Sequence, residues 1–451
     1  MVKINTICRT SQDFERETKH DLTKVSRSLN PDLHPFQKAR EYQRAVIAAK
    51  LDKMFAHPFV AAMPNHSDGI SCFAKSVKSL QNFISGSWDG EVKLWDLSQK
   101  KELLTIQAHD RFIKGVCFTN TGKQFLSSDA TTINLFNYQQ VLESATLSRT
   151  NQNIQPISKY LSKYQITSID HRYDQSHFVT AGEMVQVWNT ERNSPMQQFD
   201  WGSDTVTTSK FNPVETNLIA CTSMDRGVFI YDMRGKTCLQ KTVLMNKSSC
   251  LAWNPMEPIN LTVGNEDGNA YTIDMRKFDQ VKMIHKDHIN AILSIDYAPT
   301  GKEFATGSFD KCIRIWDNGR GKSKHCYHTK RMQKIGAICW TMDNQYVLSG
   351  SEDANIRVWK SDPSRKVGVV GDRERRKIDL RAKLQDKFKH NRQIKDLKKA
   401  HMPKYIKSDN HKKHVMRESK HRKLRNMEMN NASEFEQPLP ERKAKVVKLL
   451  E

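Results

Sequence analysis

The sequence has no apolar run approaching the roughly 18 residues that a membrane-crossing helix requires. Its first nine residues (Met1-Val-Lys-Ile-Asn-Thr-Ile-Cys-Arg9) turn polar at once and lack a signal-peptide core. Acidic residues are also short: 50 Asp and Glu stand against 72 Lys and Arg, a formal net charge of +22. That excess exceeds any need of solubility and points to a polyanionic partner, nucleic acid or an acidic membrane surface. With neither span nor leader, membrane and secretory roles recede. The nine cysteines (Cys8, Cys72, Cys117, Cys221, Cys238, Cys250, Cys312, Cys326 and Cys339) are scattered singly. No Cys-x-x-Cys pair occurs, so neither a zinc site nor a redox motif is indicated, and a reducing compartment, cytosol or nucleus, fits best. A Gly-rich phosphate loop, a His-Glu-x-x-His helix and a nucleophile elbow are all missing. The expectation is no enzyme, no cofactor and no small-molecule substrate.

What is present is a repeat. Thr306-Gly-Ser-Phe-Asp-Lys-Cys-Ile-Arg-Ile-Trp-Asp317 reads as strand, tight turn and strand, with Ile313 and Ile315 on one face and Cys312, Arg314 and Trp316 on the other. Asp310 sits at the turn, where a short carboxylate hydrogen-bonds nearby backbone N–H groups. Aligning on Trp316 returns Trp95, Phe136, Trp188, Tyr231, Ile273 and Trp359, at intervals of 41, 52, 43, 42, 43 and 43 residues. Small or branched residues lie one and three positions before every anchor. A turn Asp lies six before it in five units: Asp89, Asp225, Asp267, Asp310 and Asp353. A period near 43 residues with several short strands per unit is the pattern of a β-propeller. A single blade cannot bury both its faces, so its neighbours must cover it. The array therefore overrides the length prior of about three domains for 451 residues.

The fold class predicted is all-β: a seven-bladed β-propeller over residues 55–360, an N-terminal arm and helix over 1–54, and a basic helical tail over 361–451. Met54 to Ala62 is expected to supply the outer strand of the last blade, joining the ends of the array without a seam. Phe36 to Phe55 reads as a helix, either packed on the main domain or binding a partner. Leu142 to Tyr164, within the one long interval, reads as a surface loop.

The tail, from Ser361 onward, carries 27 Lys and Arg against 13 Asp and Glu. Asp379 to Ala400 is a basic helix with a narrow apolar stripe (Leu380, Leu384, Phe388, Leu397) that Pro403 ends, and His411 to Met429 is a second basic helical segment. Pro438 and Pro440 break it before a short basic end. Either the tail only solubilises, or it contacts nucleic-acid phosphates. The phosphate-contact candidates are Arg373, Arg375, Arg376, Lys377, Lys383, Lys387, Lys389 and Arg392, then Lys412, Lys413, Arg422, Lys423 and Arg425. Few aromatics accompany them, which favours contact with RNA shape and backbone over base stacking.

The units Gly86-Ser-Trp-Asp-Gly-Glu-Val-Lys-Leu-Trp-Asp96 and Gly350-Ser-Glu-Asp-Ala-Asn-Ile-Arg-Val-Trp359 resemble WD repeats. That resemblance implies hydrogen-bonded structural tetrads of His288, Thr306, Asp310 and Trp316, and of His66, Ser85, Asp89 and Trp95. The His, Ser/Thr and Asp of each unit also invite a catalytic-triad reading, but their recurrence at a fixed period marks them as structural. The second and third units depart from the pattern, with Asp129 displaced by one residue and Gly182 at the turn-Asp position, so their blades are expected to be less tightly stapled. Tyr231-Asp-Met-Arg234 and Ile273-Asp-Met-Arg276 resemble the Asp-x-Arg element through which WD proteins engage the adaptor of cullin-RING ubiquitin ligases. This makes Asp232, Arg234, Asp274 and Arg276 ligase-adaptor docking candidates; the alternative is an Arg paired with its local Asp.

Leu29-Asn-Pro-Asp-Leu-His-Pro-Phe-Gln-Lys-Ala-Arg-Glu-Tyr42, Lys50-Leu-Asp-Lys-Met-Phe-Ala-His-Pro-Phe-Val60, Cys250-Leu-Ala-Trp-Asn-Pro-Met-Glu257, Asn265-Glu-Asp-Gly-Asn-Ala-Tyr271 and Tyr327-His-Thr-Lys-Arg-Met-Gln333 flank or interrupt the repeats. With Phe388-Lys-His and His401-Met-Pro in the tail, they resemble the Sof family of nucleolar WD proteins across nearly the full length. The resemblance implies a nuclear, nucleolar component of the small-subunit processome, which folds and cleaves pre-ribosomal RNA around a box C/D guide RNA. Its implied partners are pre-ribosomal RNA, the guide snoRNP and other processome proteins, with the chain a monomeric subunit of that large complex. Metazoan members also resemble cullin-RING substrate receptors.

Overall fold

The computed structural model describes residues 31–147, 154–200, 204–235, 237–399, 401–430 and 439–450. The expected N-terminal arm lies almost wholly outside these. Helix α1 (Gln37–Met54) is followed by a strand, Phe59–Met63, and then by the repeats. Among the described residues the strands gather into seven antiparallel sheets, and in six of them the first four strands follow chain order from inner to outer. Blade I runs from Ile70–Lys75 to Lys101–Gln107, blade II from Gly115–Phe118 to Ser158–Leu161, and blade III from Ser168–His171 to Gln197–Phe199. Blades IV, V and VI begin at Val206–Phe211, Ser248–Trp253 and Ile292–Tyr297, and their own outer strands are Cys238–Leu244, Lys277–Lys286 and Ser323–Tyr327. Blade VII begins at Ile335–Trp340 and takes its outer strand from the other end of the repeats. Phe59–Met63 pairs antiparallel with Ile356–Lys360, Met63 opposite Ile356 and Phe59 opposite Trp359. Inner strands meet their neighbours all the way round, blade VII touching blade I, so the ring is closed.

The second and third strands of each blade are buried along almost their whole length. Both faces of a blade are covered by its neighbours, which is why these strands read as continuous apolar runs rather than alternating ones. The anchor position closes each blade from within. Trp95, Phe136, Trp188 and Trp316 each pair across the ladder with Phe83, Phe125, Phe178 and Phe304. Each of those ring pairs is stacked, with centroids 6.2, 5.2, 6.1 and 6.2 Å apart.

The repeated Asp holds the hairpin between second and third strands. The residue after it has a positive φ in five blades: Gly90 (84°), Arg226 (69°), Gly268 (78°), Lys311 (63°) and Ala354 (62°). This left-handed geometry is uncommon without glycine. In four of them the Asp carboxylate accepts the amide of the residue two further on, Glu91, Gly227, Asn269 and Cys312, at 2.9–3.0 Å. Asp353 instead pairs with Arg357, four residues on.

Blade VI carries a complete buried network. His288 Nε2 meets Thr306 Oγ1 at 2.7 Å, Trp316 Nε1 donates to the same oxygen at 2.7 Å, and His288 Nδ1 meets Asp310 Oδ2 at 2.8 Å. Burial alone would raise the Asp310 carboxyl. His288, Arg314 and the Ile289 amide outweigh it and hold the group below the usual carboxylate range. Blade I keeps only part of this set. His66 Nε2 meets Ser85 Oγ at 2.6 Å and Trp95 donates to Ser85 at 2.7 Å, but Asp89 turns to Ser67 Oγ at 2.5 Å, leaving His66 Nδ1 buried and unpartnered among the described residues. The second unit, despite its displaced Asp129, has a corresponding His109–Ser127 link of 2.7 Å and a second bond from His109 to Thr132 at 3.0 Å. Its signal was available: 18 residues separate that His from its Ser, as 18 separate His288 from Thr306.

Leu142 to Tyr164 differs from the expected surface loop. Helix α2 (Tyr138–Leu147) continues directly from the third strand of blade II, and the outer strand Ser158–Leu161 follows the undescribed residues 148–153. Val141 is buried in the cluster shared by blades I and II. No helix among the described residues is long and apolar enough to cross a membrane.

Burial, then Lys93, push His66 down to about 4 against the opposing pull of Asp89 and Glu102. Between its ordinary value of about 6.5 and this lowered one, the unfolded chain takes a proton that the folded chain refuses. The associated stability, about 3 kcal/mol, is complete above pH 6.5 and is lost as pH falls toward 4. His66→Gln should therefore flatten the fall of the urea midpoint between pH 7 and 5, and equal slopes in both proteins would contradict this account.

Candidate nucleic-acid and partner interfaces

Two compact units divide the chain: residues 1–58 with 362–400, and residues 59–361 with 401–451. In the first, α1 packs against α3 (Asp372–Lys387) and α4 (Arg392–Lys398). Buried Ala45, Ala48 and Ala49 recur at helical spacing on α1, small enough to admit a close neighbour. The Tyr42 ring meets Phe388 edge-on at 5.6 Å, its hydroxyl donates to Gln393 Oε1 at 2.7 Å, and Gln385 Nε2 donates to Asp52 at 2.6 Å. The tail's own first helices are thus what α1 packs against in its unit, a pairing that local patterning does not reveal.

The expected helix from Asp379 to Ala400 is two helices instead. The first begins at Asp372, where Asp372 and Glu374 in the opening turn complement the helix dipole. Arg373, Arg375, Arg376, Lys377, Lys383, Lys389 and Arg392 are exposed. Lys387 is committed within the unit, its ammonium 2.6 Å from Glu41 Oε2.

The rest of the tail belongs to the propeller unit. Helix α5 (Lys404–Asn430) spans about 40 Å. Its first turn is seated on blade VI: Ile406 is buried and Tyr405 Oη donates to the Asp310 carbonyl at 2.6 Å. Lys413 departs from its expected phosphate role. Its ammonium donates to the Ile289 and His288 carbonyls at 2.9 and 3.3 Å, and burial followed by Arg417 lowers its pKa. Lys412, Arg422, Lys423 and Arg425 remain exposed.

Beyond α6 (Glu441–Ala444), the short basic end is an added strand. Val446–Leu450 pairs antiparallel with Cys238–Leu244, Leu449 opposite Thr242 and Lys448 opposite Val243, making blade IV five-stranded. Val446 and Leu449 pack against the core shared by blades IV and V. Glu441 pairs with Lys286, and Lys445 reaches Asp267 at 3.5 Å. An open crevice of about 580 Å³ between this end and blade V is lined by Lys286, Lys322, Arg417 and Arg442. The sequence reading missed all four, because strand pairing rather than spacing assembles them.

The Asp-x-Arg residues lie at the turns between third and outer strands. Antiparallel order puts the turns between third and outer strands on one face, and the Asp hairpins that meet α5 on the other. In blade V, Asp274 accepts the Arg276 amide at 3.0 Å and the guanidinium at 3.2 and 3.1 Å. Burial opposes it, but these bonds and the Arg276 charge hold Asp274 below the usual range. In blade IV, Asp232 accepts the Arg234 amide at 3.0 Å. Both arginines are exposed, at matching turns of adjacent blades.

The blade VI network does not suit nucleophilic chemistry. Thr306 is fully buried, its hydroxyl already held between His288 and Trp316.

The closed ring, the blade VI tetrad and the anchor rings define a WD-repeat β-propeller. WD-domain, G-beta-repeat models match residues 58–96, 280–317 and 321–360. The WD40 propeller domain of Doa1 superposes with a TM-score of 0.57 at 17% identity, covering 67% of this chain and 96% of that one. The Sof1-like domain model matches residues 361–446. Over 424 residues the chain is 42% identical to "DDB1- and CUL4-associated factor 13" of Xenopus tropicalis, covering 94% of each. To the human protein of that name it is 38% identical, again over 94% of each. To "Protein SOF1" of Saccharomyces cerevisiae it is 36% identical over 90% of this chain and 87% of that one. The chain belongs to the Sof1-like family of WD-repeat proteins.

Removing residues 446–450 should uncover the outer strand of blade IV. Losing the cover of Val446 and Leu449, at about 1–3 kcal/mol, should raise hydrogen exchange across Cys238–Leu244 by roughly 10- to 100-fold; unaltered exchange would show that the strand adds nothing.

Proposed function

We propose that the chain is a non-catalytic scaffold of small ribosomal subunit assembly in the nucleolus, touching pre-ribosomal RNA and its guide snoRNP through the tail and other processome proteins through the propeller. The observation that carries this reading is the division of labour within the tail. Lys387 and Lys413 are used to hold helices in place, while Arg373, Arg375 and Lys377, with Arg422, Lys423 and Arg425, stay exposed on helices so fixed. Cations mounted this way reach phosphates at a lower ordering cost than a free polycation would. The Thr306 hydroxyl, buried and held between His288 and Trp316, agrees with a structural role for that network.

Exchanging Arg373, Arg375, Arg376 and Lys377 for Gln should lower the slope of log affinity against log salt for pre-ribosomal RNA by about 3, from roughly 0.7–0.9 per phosphate contact. An unchanged slope would remove these residues from the RNA interface.

A second reading, substrate receptor of a cullin-RING ligase, is favoured by one observation: Arg234 and Arg276 project from equivalent exposed turns of neighbouring blades. Several relatives are named as DDB1- and CUL4-associated factors, and the two roles are compatible. Arg234→Ala with Arg276→Ala should weaken binding to purified DDB1 by at least about tenfold, at roughly 1.4 kcal/mol per decade. Undiminished binding by the folded variant would discard this element as the dock.

A further inference from the structure

Blade VI brings together two thiols and an imidazole that neither its tetrad nor its strand pairing uses. The third strand (Ile313–Asp317) and the outer strand (Ser323–Tyr327) pair with Ile313 opposite Tyr327 and Arg314 opposite Cys326. Continuing that register by one residue sets Cys312 opposite His328. Strand alternation then places Cys312, Arg314, Cys326 and His328 on one face of the blade. The two sulfurs and an imidazole nitrogen lie within 4.8 Å of one another, and both cysteines are buried and free of disulfides.

We propose that Cys312, Cys326 and His328 are three ligands of a zinc ion, with His401 of the tail as the fourth. Two thiolates and two imidazoles form a donor set that Zn²⁺ takes tetrahedrally, at about 2.3 Å to sulfur and 2.0–2.1 Å to nitrogen. Neighbouring sulfurs on one such ion lie roughly 3.8 Å apart, so the cluster needs only a small contraction. Two buried polar atoms lack partners among the described residues: His328 Nδ1 and, beside the cluster, Arg314 Nε. The first is a free ligand atom; the second is an N–H suited to a metal-bound thiolate, the kind of outer contact that tunes such sites. The His401 ring lies stacked on His328 with centroids 5.7 Å apart, at the root of α5 where Tyr405 already reaches the Cys312 thiol at 3.9 Å. The other cluster of donor residues, His66, Asp89 and Glu91, has its His and Asp engaged with Ser85 and Ser67, and carries no such claim. Zinc at blade VI would bolt the tail to the propeller one turn before its helix begins.

The spacing rules for zinc look for paired cysteines in a knuckle, and here the ligands come from facing strands and a segment some seventy residues on. The test uses the full chain purified under reducing, chelator-free conditions. Elemental analysis should find about one zinc per chain, and Co²⁺ in its place should give thiolate charge-transfer absorption with the intense visible bands of a tetrahedral ion. Cys312→Ser with Cys326→Ser should abolish both while circular dichroism shows an intact propeller. His401→Ala should retain three ligands, bind at least roughly tenfold more weakly and alter the cobalt spectrum. It should also expose α5 to trypsin as chelation does in the wild type. Metal-free chains with reduced thiols, a Cys312–Cys326 disulfide by mass, or cobalt spectra without thiolate absorption would overturn the site. An unaltered affinity and spectrum in His401→Ala would overturn the tail's part in it.

Discussion

One antiparallel ladder holds the two ends of the array together: Phe59–Met63 against Ile356–Lys360. The first four strands of every other blade come from consecutive chain and need neighbours only to cover their faces. Blade VII draws strands from opposite ends of the repeats, so the ring is a ring only while this ladder is intact. The Phe59 ring lies edge-on to Trp359 at 5.6 Å, and Met63 is buried with Ile356 and Val358. An unclosed array would expose the buried faces of two blades and a row of unpaired strand groups, a cost that grows with the whole interface rather than with one bond.

The tail solves a second edge problem by the same means. Blade IV gains Val446–Leu450 outside its own outer strand, and α5 is anchored on blade VI through Tyr405, Ile406 and Lys413. The start of α5 is consequently fixed at the Asp310 hairpin of blade VI, while Arg234 and Arg276 stand exposed at turns between third and outer strands.

Several features were open to reading in the chain itself. The 43-residue period, the anchor rings and the turn Asp residues are local, and the rule that joins them is a strand's alternation of faces. Asp310 illustrates this: its turn role follows from one residue type at one position. Asp89 shows the boundary, since the same residue in the same place bonds Ser67 rather than His66. The partner a carboxylate takes depends on neighbours that the repeat does not specify. Likewise Lys413 and Lys412 are indistinguishable in sequence, yet one is spent on two carbonyls of the propeller and the other is exposed.

By itself the sequence determined the number of blades, the closing strand, the anchor of each blade and the concentration of positive charge beyond residue 361. These depend on periodicity and composition, which any window of the chain displays. Only the tertiary structure decided that α1 pairs with α3 and α4, that the last five described residues form a strand, and that Cys312, Cys326, His328 and His401 share one corner. Contacts between segments tens to hundreds of residues apart arise from complementary shapes and unfilled edges, and neither leaves a periodic mark on the residues that meet.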